Sequence, residues 1–374
     1  MVRSVLAFVL LLPLVVWAQA PQPPQVIGRA WIVADLSSGQ ILGAERPDER
    51  VEPASLTKIM TAYVVFAALK EKRISLEQPV QVSEKAWKTA GSRMFVEPRR
   101  PVTVDQLIRG MIVQSGNDAC VALAELISGS EEAFVKQMNA EAARLGLKNT
   151  SFANVTGLSD ARHYSTARDL EVLAASLIRD FPQAYAQYYS QKEFRYNGIT
   201  QANRNRLLWL DPTVDGMKTG FTEAAGYCLV ASSKRGERRL LSVLLGSTSE
   251  STRAQESQKL LNWGFQAFDA VRLYAAGAPV KEIEVFKGVR DKLRAGFPTD
   301  MVVTVPKGEA PRLKADLLSV SPLVAPVASG TRVGMLRVTV DGKAIGEYPV
   351  VALDAVPEAG FLGRAWDTLR LWAR

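Results

Sequence analysis

PASLTKIMTAYVV, residues 53–65, places Ser55 three positions before Lys58 at the point where an apolar run begins. Residues three apart share one face of a helix, so the lysine amine can reach the serine hydroxyl. A serine needs a base to take its proton at neutral pH, and a helix start offers N–H groups and a positive dipole end to a developing oxyanion. The spacing therefore indicates a nucleophile and its base. The alternative interpretation is a helix-capping serine beside a solvated lysine.

The patterns on both sides of these residues predict an α+β fold. Upstream, RAWIVADLSSGQILGAE alternates and turns at Ser37-Ser38-Gly39, as a hairpin of two antiparallel strands does. Downstream, helical periodicity predicts helices near 55–71, 103–127, 131–145 and 166–180. GYCLVASS and RRLLSVLLGS predict strands joined by the turn KRGE, and STRAQESQKLLNWGFQAF predicts a long helix. This order is expected when strands from both ends share one sheet that the helices cover.

A second polar motif, VQSGNDAC at residues 113–120, interrupts the helical pattern. Gly116 weakens the helix and places Ser115 and Asn117 in a break between two apolar helical halves. An ordinary helix–helix turn would explain the motif when it is taken alone.

A third motif, VDGMKTGF at residues 214–221, places Lys218 and Thr219 ahead of the strand GYCLVASS. Gly220 would let a substrate backbone approach closely. A strand edge with a polar rim is the alternative. The three motifs in this order, each on the right type of element, rarely coincide by chance.

At these residues the sequence resembles the penicillin-recognising serine enzymes, whose motifs are S-x-x-K, S/Y-x-N and K-T-G. The S-G-N form, the β-rich C-terminal part and the terminal amphipathic segment are similar to the low-molecular-mass penicillin-binding proteins, the D-alanyl-D-alanine carboxypeptidases. The resemblance extends from about Ala30 to the C-terminus and includes HYSTARDL, NGITQANRNRLLW and KLLNWGF. It implies a β-lactamase/transpeptidase-like domain, an antiparallel sheet flanked by helices, followed by a small all-β domain.

The resemblance implies the following chemistry for the first two motifs. The penultimate D-alanine carbonyl of a peptidoglycan stem peptide ending in D-Ala-D-Ala acylates Ser55, the terminal D-alanine leaves, and water then frees the shortened peptide. Lys58 is the base. Ser115 and Asn117 relay a proton to the leaving amine and hold the substrate amide. β-Lactam antibiotics are expected to acylate the same serine.

The resemblance also implies a binding site for the terminal carboxylate at the third motif. Lys218 and Thr219 would receive the carboxylate, with Gly220 beside them. The backbone N–H of Phe221 would be the second oxyanion donor; other members carry histidine there, but only the main chain is needed. Arg253, in STRAQES, matches a family arginine near the carboxylate.

Lys58 can act as a base only if its pKa is lowered from the ordinary value of about 10.4. A like charge such as Lys218 at ~4 Å costs about 4 kcal/mol at an effective dielectric near 20, or about three pKa units. Burial would act in the same direction. We therefore expect a neutral amine to be accessible near pH 7.

Other functions fit the sequence less well. A Ser-His-Asp hydrolase would use His163 with Asp160 or Asp169, but the sequence has no G-x-S-x-G elbow. More simply, His163 and Asp169 shape a loop and cap the helix TARDLEVLAAS, with Thr166 as another cap. No E-x-x-L-N stretch lies between S-G-N and K-T-G, so a β-lactamase is not expected and penicillin should form a long-lived adduct. A D,D-endopeptidase and a non-catalytic wall-binding scaffold stay open.

Composition excludes several kinds of chemistry. A single histidine, His163, cannot build a multi-histidine zinc site, and the implied reaction needs no metal or cofactor. The formal net charge of +8 suits an anionic envelope polymer or lipid head groups, whereas no basic, aromatic-interleaved block predicts nucleic-acid binding. Cys120 and Cys228 could pair in an exported protein, but two cysteines are not a disulfide framework.

The N-terminal sequence MVRSVLAFVLLLPLVVWAQA predicts export. It has a basic Arg3, an apolar run over residues 5–17 and small residues at Ala18 and Ala20, after either of which cleavage is expected. The run is shorter than the ~20 residues that a membrane span needs. We expect a periplasmic protein.

The C-terminal sequence EAGFLGRAWDTLRLWAR predicts a basic amphipathic helix. An arc of about 140° holds the apolar positions Phe361, Leu362, Ala365, Trp366, Leu369, Trp372 and Ala373. Such a helix could lie on the outer face of the cytoplasmic membrane, or it could pack on its own protein. We predict a signal peptide over residues 1–20, a catalytic domain over 26–272, a β-rich domain over 273–356 and this helix over 357–374. The β-rich domain is predicted from short alternating runs such as VKEIEVF, DMVVTVP and TRVGMLRVTV.

Overall fold

The computed structural model describes residues 21–372, so the predicted signal peptide lies outside the described residues. The helices are α1 (Lys58–Lys70), α2 (Glu84–Lys88), α3 (Val104–Val113), α4 (Asn117–Ser128), α5 (Glu131–Leu145), α6 (Ala167–Asp180), α7 (Pro182–Tyr188), α8 (Leu207–Leu210), α9 (Glu250–Ala267) and α10 (Phe361–Trp372). The strands are β1 (Ala30–Asp35), β2 (Gln40–Glu45), β3 (Pro79–Val80), β4 (Val102–Thr103), β5 (Glu193–Tyr196), β6 (Ile199–Ala202), β7 (Val214–Thr222), β8 (Gly226–Arg235), β9 (Arg238–Ser247), β10 (Phe268–Tyr274), β11 (Pro279–Phe286), β12 (Lys292–Gly296), β13 (Met301–Pro306), β14 (Leu313–Ser319), β15 (Leu323–Val324), β16 (Arg332–Val340) and β17 (Lys343–Ala352).

The first sheet brings both ends of the catalytic part together, as the sequence predicts. Its five strands are antiparallel and lie in the order β2-β1-β9-β8-β7. The hairpin of β1 and β2 pairs Asp35 with Gln40, and β8 and β9 flank the predicted turn. The edge strand β7 carries the K-T-G motif.

Helices cover both faces of this sheet. Neighbouring strand residues point to opposite faces, so Ile32 packs into the large core beneath α1, α3, α4 and α6, whereas Val33 packs with Leu244 and Leu260 beneath α9. Every residue of β1 is buried. The predicted α+β class is confirmed, with an apolar layer on each side of the sheet.

The break in the helical pattern near the S-G-N motif is real. α3 begins in a capping box, in which the side chain of Thr103 accepts from Gln106 N–H and the side chain of Gln106 accepts from Thr103 N–H. It ends at Val113, and α4 starts at Asn117. Ser115, between the two helices, has a φ of 66°, which few residues other than glycine adopt. The chain therefore changes direction at the motif.

The last part of the chain forms the predicted β structure with a core of its own. Six strands lie in the order β14-β16-β17-β12-β11-β15, and β10 pairs separately with β13. Buried side chains such as Val303, Val338 and Val350 form this second core. The division of the chain at residues 272 and 356 stays a prediction. Among the described residues, no helix is both long and apolar enough to cross a membrane.

Candidate active site

Ser55 and Lys58 meet as the sequence predicts. Residues Ala54–Thr57 form one turn of 3-10 helix, and Lys58 begins α1. The Nζ atom of Lys58 lies 2.9 Å from Ser55 Oγ and donates to Thr156 O at 2.6 Å. Lys58 is 1% exposed, and Ser55 makes no cap hydrogen bond. The interpretation as a capping serine beside a solvated lysine is therefore wrong.

The pKa of Lys58 is low enough for a general base. Burial lowers it to about 8, and the positive charge of Arg204 acts in the same direction, while Cys120 and Asp118 oppose both. Burial, which we expected to act beside the charge of Lys218, is thus the largest cause. Burial and then the charge of Lys58 lower the pKa of Lys218 well below its ordinary value. Two buried amines disfavour each other's protonation.

The S-G-N motif presents two unpaired polar atoms. Ser115 Oγ and Asn117 Oδ1 are buried and have no hydrogen-bond partner within the described part of the chain. Asn117 is held by its other groups, because its Nδ2 donates to Ala90 O at 2.7 Å and its backbone N–H donates to Ser92 O at 2.7 Å. Asn117 Oδ1 can therefore accept a hydrogen bond from a substrate amide N–H without losing an existing hydrogen bond.

Lys218 and Thr219 lie in β7, the strand that directly precedes β8 with its sequence GYCLVASS. Lys218 is 2% exposed and its Nζ donates to Thr219 O at 3.0 Å. β7 is an edge strand, so alternate main-chain groups face away from β8. Phe221 follows Thr219 by two positions on the same face, and its ring lies 4.4 Å from that of Tyr227.

Gly220 is needed for a different reason from the one predicted. A Cβ atom there would lie 3.1 Å from Pro53 O and 3.2 Å from Ser55 N. The glycine thus lets β7 approach the turn that carries Ser55, rather than a substrate backbone. This approach brings the main chain of Phe221 next to that of Ser55, as a two-donor oxyanion site requires.

Two arginines lie at the end of the site where we expect the substrate carboxylate. Arg253 is 4% exposed, and its guanidinium donates to Gly220 O and to Glu250. Arg204 lies in the same cleft, and its backbone oxygen accepts from Arg253. Sequence reasoning missed Arg204, although it quoted the segment NGITQANRNRLLW that contains it.

One cleft of about 350 Å³ unites the three motifs. Buried Lys58 and Lys218 lie beneath it. Its lining includes the predicted residues Ser55, Ser115, Asn117, Thr219, Gly220, Phe221 and Arg253. Its lining also includes residues that no motif indicated, namely Gly91, Ser92, Thr156, Gly157, Leu158, Arg204, Thr222, Tyr227 and Glu250.

His163 does not form a triad with Ser55. Its Nδ1 accepts from Ala153 N–H, so Nε2 carries the proton and faces Thr57 Oγ1 at 2.8 Å. Burial lowers its pKa to about 4, which keeps the ring neutral. Asp169 accepts from Asn149 and Thr150 instead. The Ser-His-Asp hypothesis is wrong.

The helix-cap prediction for this region is confirmed at Thr166, whose side chain accepts from Asp169 N–H. Cys120 and Cys228 are both buried free thiols, so the structure shows no bridge between them. Within residues 21–372, no group of three or more histidine, cysteine, aspartate or glutamate side chains is placed to hold a metal ion.

Comparisons with known proteins agree with this geometry. The family described as D-alanyl-D-alanine carboxypeptidase matches residues 17–249, and the family described as penicillin-binding protein 5, C-terminal domain, matches residues 268–358. The chain is 44% identical to the D-alanyl-D-alanine carboxypeptidase DacC of Escherichia coli (strain K12) over 93% of this chain and 89% of that protein.

Solved structures give the same result. The crystal structure of penicillin binding protein 5 from Haemophilus influenzae superimposes with a TM-score of 0.86 at 42% identity, covering 90% of this chain and 99% of that one. Penicillin-binding protein D2 from Listeria monocytogenes, in an ampicillin-bound form, superimposes with a TM-score of 0.60 at 29% identity, covering 66% of this chain and 100% of that one.

Proposed function

The chain belongs to the family of serine D-alanyl-D-alanine carboxypeptidases, and we propose that it removes the terminal D-alanine of cell-wall pentapeptides with Ser55 as nucleophile and Lys58 as base. One observation carries the assignment of these two residues. A buried amine whose pKa is lowered to about 8 lies 2.9 Å from a hydroxyl that lines the cleft. Few structural roles require a buried lysine at that distance from a serine.

Acylation follows from the positions of the first two motifs. Neutral Lys58 takes the proton of Ser55 as Oγ attacks the penultimate D-alanine carbonyl, and the N–H groups of Ser55 and Phe221 stabilise the oxyanion. The carbon–nitrogen bond then breaks. The proton passes from Lys58 through Ser115 Oγ to the leaving amine, so D-alanine departs neutral at that nitrogen and Ser55 is left as an ester.

The carboxylate end of the cleft selects substrates with a free terminus. Thr219, Lys218, Arg204 and Arg253 supply a hydroxyl and three positive groups there. Burial weakens the proton affinity of Lys218 in the free protein, but an anion that binds beside a buried amine favours its charged form. Binding of the substrate carboxylate therefore restores the charge of Lys218 that holds it.

Water completes the cycle by attacking the acyl ester, with Lys58 again as base. β-Lactam antibiotics present a strained amide to the same serine, and the ampicillin-bound relative supports their binding here. Because the chain has no E-x-x-L-N stretch between its second and third motifs, we expect the penicilloyl ester to be long-lived.

Replacement of the two central residues tests this proposal. We expect Ser55→Ala to abolish D-alanine release from a pentapeptide and labelling by fluorescent penicillin. Lys58→Arg should reduce acylation by at least about a thousandfold, because arginine cannot lose its proton. Lys70→Arg makes the same change at the exposed end of α1 and should have no effect. A Lys58→Arg protein that acylates at the wild-type rate would remove lysine from the mechanism, and cleavage of cross-linked peptides without D-alanine release would assign an endopeptidase.

The exposed face of α10 supports attachment to a membrane surface. Its polar residues contact the second sheet, because Asp367 accepts from Lys287 N–H and Arg370 pairs with Glu284. The side chains of Phe361, Trp366 and Trp372 are 78%, 66% and 89% exposed. We propose that the protein is exported to the periplasm and that these aromatic side chains enter the outer face of the cytoplasmic membrane.

Truncation separates membrane attachment from catalysis. A chain ending at Pro357 should move from the membrane fraction to the soluble fraction and should release D-alanine at the full-length rate. The matched control carries Asp341→Asn, a polar change outside α10, and should stay with the membrane. A truncated chain that still sediments with membranes would show that α10 is not the anchor.

A further inference from the structure

A second hollow lies beside the active site, on the segment that connects α2 to β4. It has a volume of about 440 Å³ and is lined by Trp87, Lys88, Arg93, Phe95, Val96 and Glu97. The side chains of Trp87 and Phe95 are 42% and 39% exposed. Neither ring is needed to fill the core, and exposed aromatic side chains around a concave surface are typical of binding sites.

The backbone of Phe95 is held in a strained conformation that displays its ring. Its φ is 67°, a left-handed value that is uncommon for a bulky residue and clusters at functional sites. The buried carboxylate of Asp118 accepts from the N–H groups of Met94, Phe95 and Val96 at 3.0, 2.9 and 3.2 Å. Asp118 directly follows Asn117 in α4. The strained backbone of Phe95 is therefore held by a residue of the helix that carries part of the candidate site.

The hollow and the cleft are lined by neighbouring residues of one segment. Gly91 and Ser92 line the cleft, and Arg93 and Phe95 line the hollow. Phe95 follows Ser92 by three positions, so their Cα atoms are at most about 11 Å apart. A peptide of four residues, the length between the sugar and the scissile bond of a pentapeptide substrate, extends to about 13 Å. A ligand can therefore occupy the cleft with its peptide and the hollow with its sugar.

The chemistry of the hollow suits a sugar ring. Aromatic rings pack against the C–H faces of pyranose rings, and each of these rings has a cation near it, with Arg93 5.5 Å from the centre of the Phe95 ring and Lys88 Nζ 5.9 Å from that of the Trp87 ring. Arginine and lysine donate hydrogen bonds to the hydroxyl and acetamido oxygens that a glycan carries. We propose that the hollow formed by Trp87, Lys88, Arg93 and Phe95 binds the glycan strand of peptidoglycan while its stem peptide occupies the active site.

This proposal rests on the proposed function, so its test compares two substrates. Trp87→Ala should lower kcat/KM about tenfold for a disaccharide-linked pentapeptide, mainly through KM, and should leave kcat/KM for the free pentapeptide unchanged. Arg93→Ala should have an effect in the same direction. Trp209→Ala removes another half-exposed tryptophan, on α8, and should change neither substrate. Peptide-free glycan strands should inhibit the wild-type protein competitively on the disaccharide-linked substrate and should not inhibit Trp87→Ala.

Each outcome decides the proposal. Equal losses on both substrates, or no loss on either, would overturn glycan binding, and retained activity on the free pentapeptide would leave the carboxypeptidase assignment intact. No activity of the wild-type protein on either substrate would contradict the proposed function instead. Loss of binding to anionic lipid vesicles by Trp87→Ala, with both kcat/KM values unchanged, would assign the hollow to the membrane and overturn the proposal.

Discussion

The groups that surround the Lys58 amine suit the role of base that we propose for it. A neutral amine has two N–H bonds and one lone pair, and Thr156 O at 2.6 Å takes one of the N–H donors. The lone pair can then accept the proton of Ser55 at 2.9 Å. The protonated form would gain hydrogen bonds but would be charged in a buried site, and burial is the largest cause of its lowered pKa. The geometry therefore favours the reactive form without a carboxylate partner.

The pH dependence of acylation should report this amine. Since only the neutral form is a base, kcat/KM should fall about tenfold per pH unit below a pKa of about 8 and should level off above it. The rate of acylation by a penicillin, measured from pH 5 to 10, shows the pH at which this fall begins. A rate that falls only below about pH 4 would instead indicate a histidine or carboxylate base, since burial lowers the pKa of His163 to about 4.

Gly157 controls the position of the nucleophile. It has a φ of 85°, and a Cβ atom there would lie 1.8 Å from Ala54 O, next to Ser55. Gly157→Ala should therefore lower the free energy of unfolding by more than the about 1–2 kcal/mol of a left-handed alanine, and should slow acylation by penicillin. Urea unfolding and acylation rates measure the two effects.

Gly146→Ala is the matched control for this substitution. Gly146 has a similar φ of 77°, but no atom lies within 4 Å of a Cβ at that position. The control should lose about 1–2 kcal/mol of stability and acylate normally. If both variants acylate at the wild-type rate, the contact between Gly157 and Ala54 does not position Ser55.

The strand β7 is fixed at its start by an ion pair that spans three strands. Both carboxylate oxygens of Asp215 accept from Arg239 on β9 at 2.7 Å, and Arg239 also donates to Ser232 on β8. Tyr185 donates to the same carboxylate at 2.8 Å. Asp215 lies three residues before Lys218, so this pair holds the strand that carries the carboxylate site.

Asp215→Asn should loosen this end of β7. It leaves the partly buried guanidinium of Arg239 without its anion and should cost about 2 kcal/mol, with a several-fold increase in KM for pentapeptide. Asp354→Asn breaks a similar two-bond pair with Arg294 on an exposed surface of the second sheet and should leave KM unchanged. Urea unfolding and steady-state kinetics test both variants. A normal KM for Asp215→Asn would show that the pair stabilises the fold only.

The regular elements could be predicted because their apolar pattern is long. α3, α6 and α9 and the hairpins of the first sheet follow periodicity over ten or more residues or a clear turn signal. The short α2 and the hairpin of β5 and β6 have five and four residues, too few for a period to emerge. These short elements lie where tertiary contacts, rather than local pattern, fix the chain.

The candidate site likewise contains residues that the sequence predicts and residues that it does not. Ser55, Asn117 and Thr219 belong to motifs of fixed spacing, so sequence could assign them. Arg204 and Thr156 line the cleft from segments that connect helices and strands. Nothing near them in the sequence indicates which residues they contact. The sequence could indicate a lowered pKa for Lys58 from a lysine in another motif, but it could not show that burial is the largest cause, because burial depends on the whole fold.

The two parts of the molecule are joined by one polar cluster. Thr304 on β13 bonds through its hydroxyl to the fully buried carboxylate of Asp35 and to Ser38, and through its main chain to both ends of the Gln40 amide. Arg238 donates to the same carboxylate of Asp35 at 2.7 Å. Buried hydrogen bonds of this kind require a single relative placement of their partners. The cluster therefore fixes the placement of the second part, which carries α10, relative to the part that carries the cleft.

Thermal unfolding should reveal this coupling. We expect the wild-type chain to unfold in one transition, because separation of the second part would break the four hydrogen bonds that join Thr304 to Asp35, Ser38 and Gln40. The double variant Gln40→Ala and Thr304→Val removes most of the cluster, so calorimetry should show the second part melting first, while penicillin labelling persists to the wild-type temperature. Gln191→Ala, which removes a side chain bonded only to Gln187 in the first part, should keep one transition. A single unchanged transition in the double variant would mean that the covalent connection and the apolar contacts of β10, rather than this cluster, hold the two parts together.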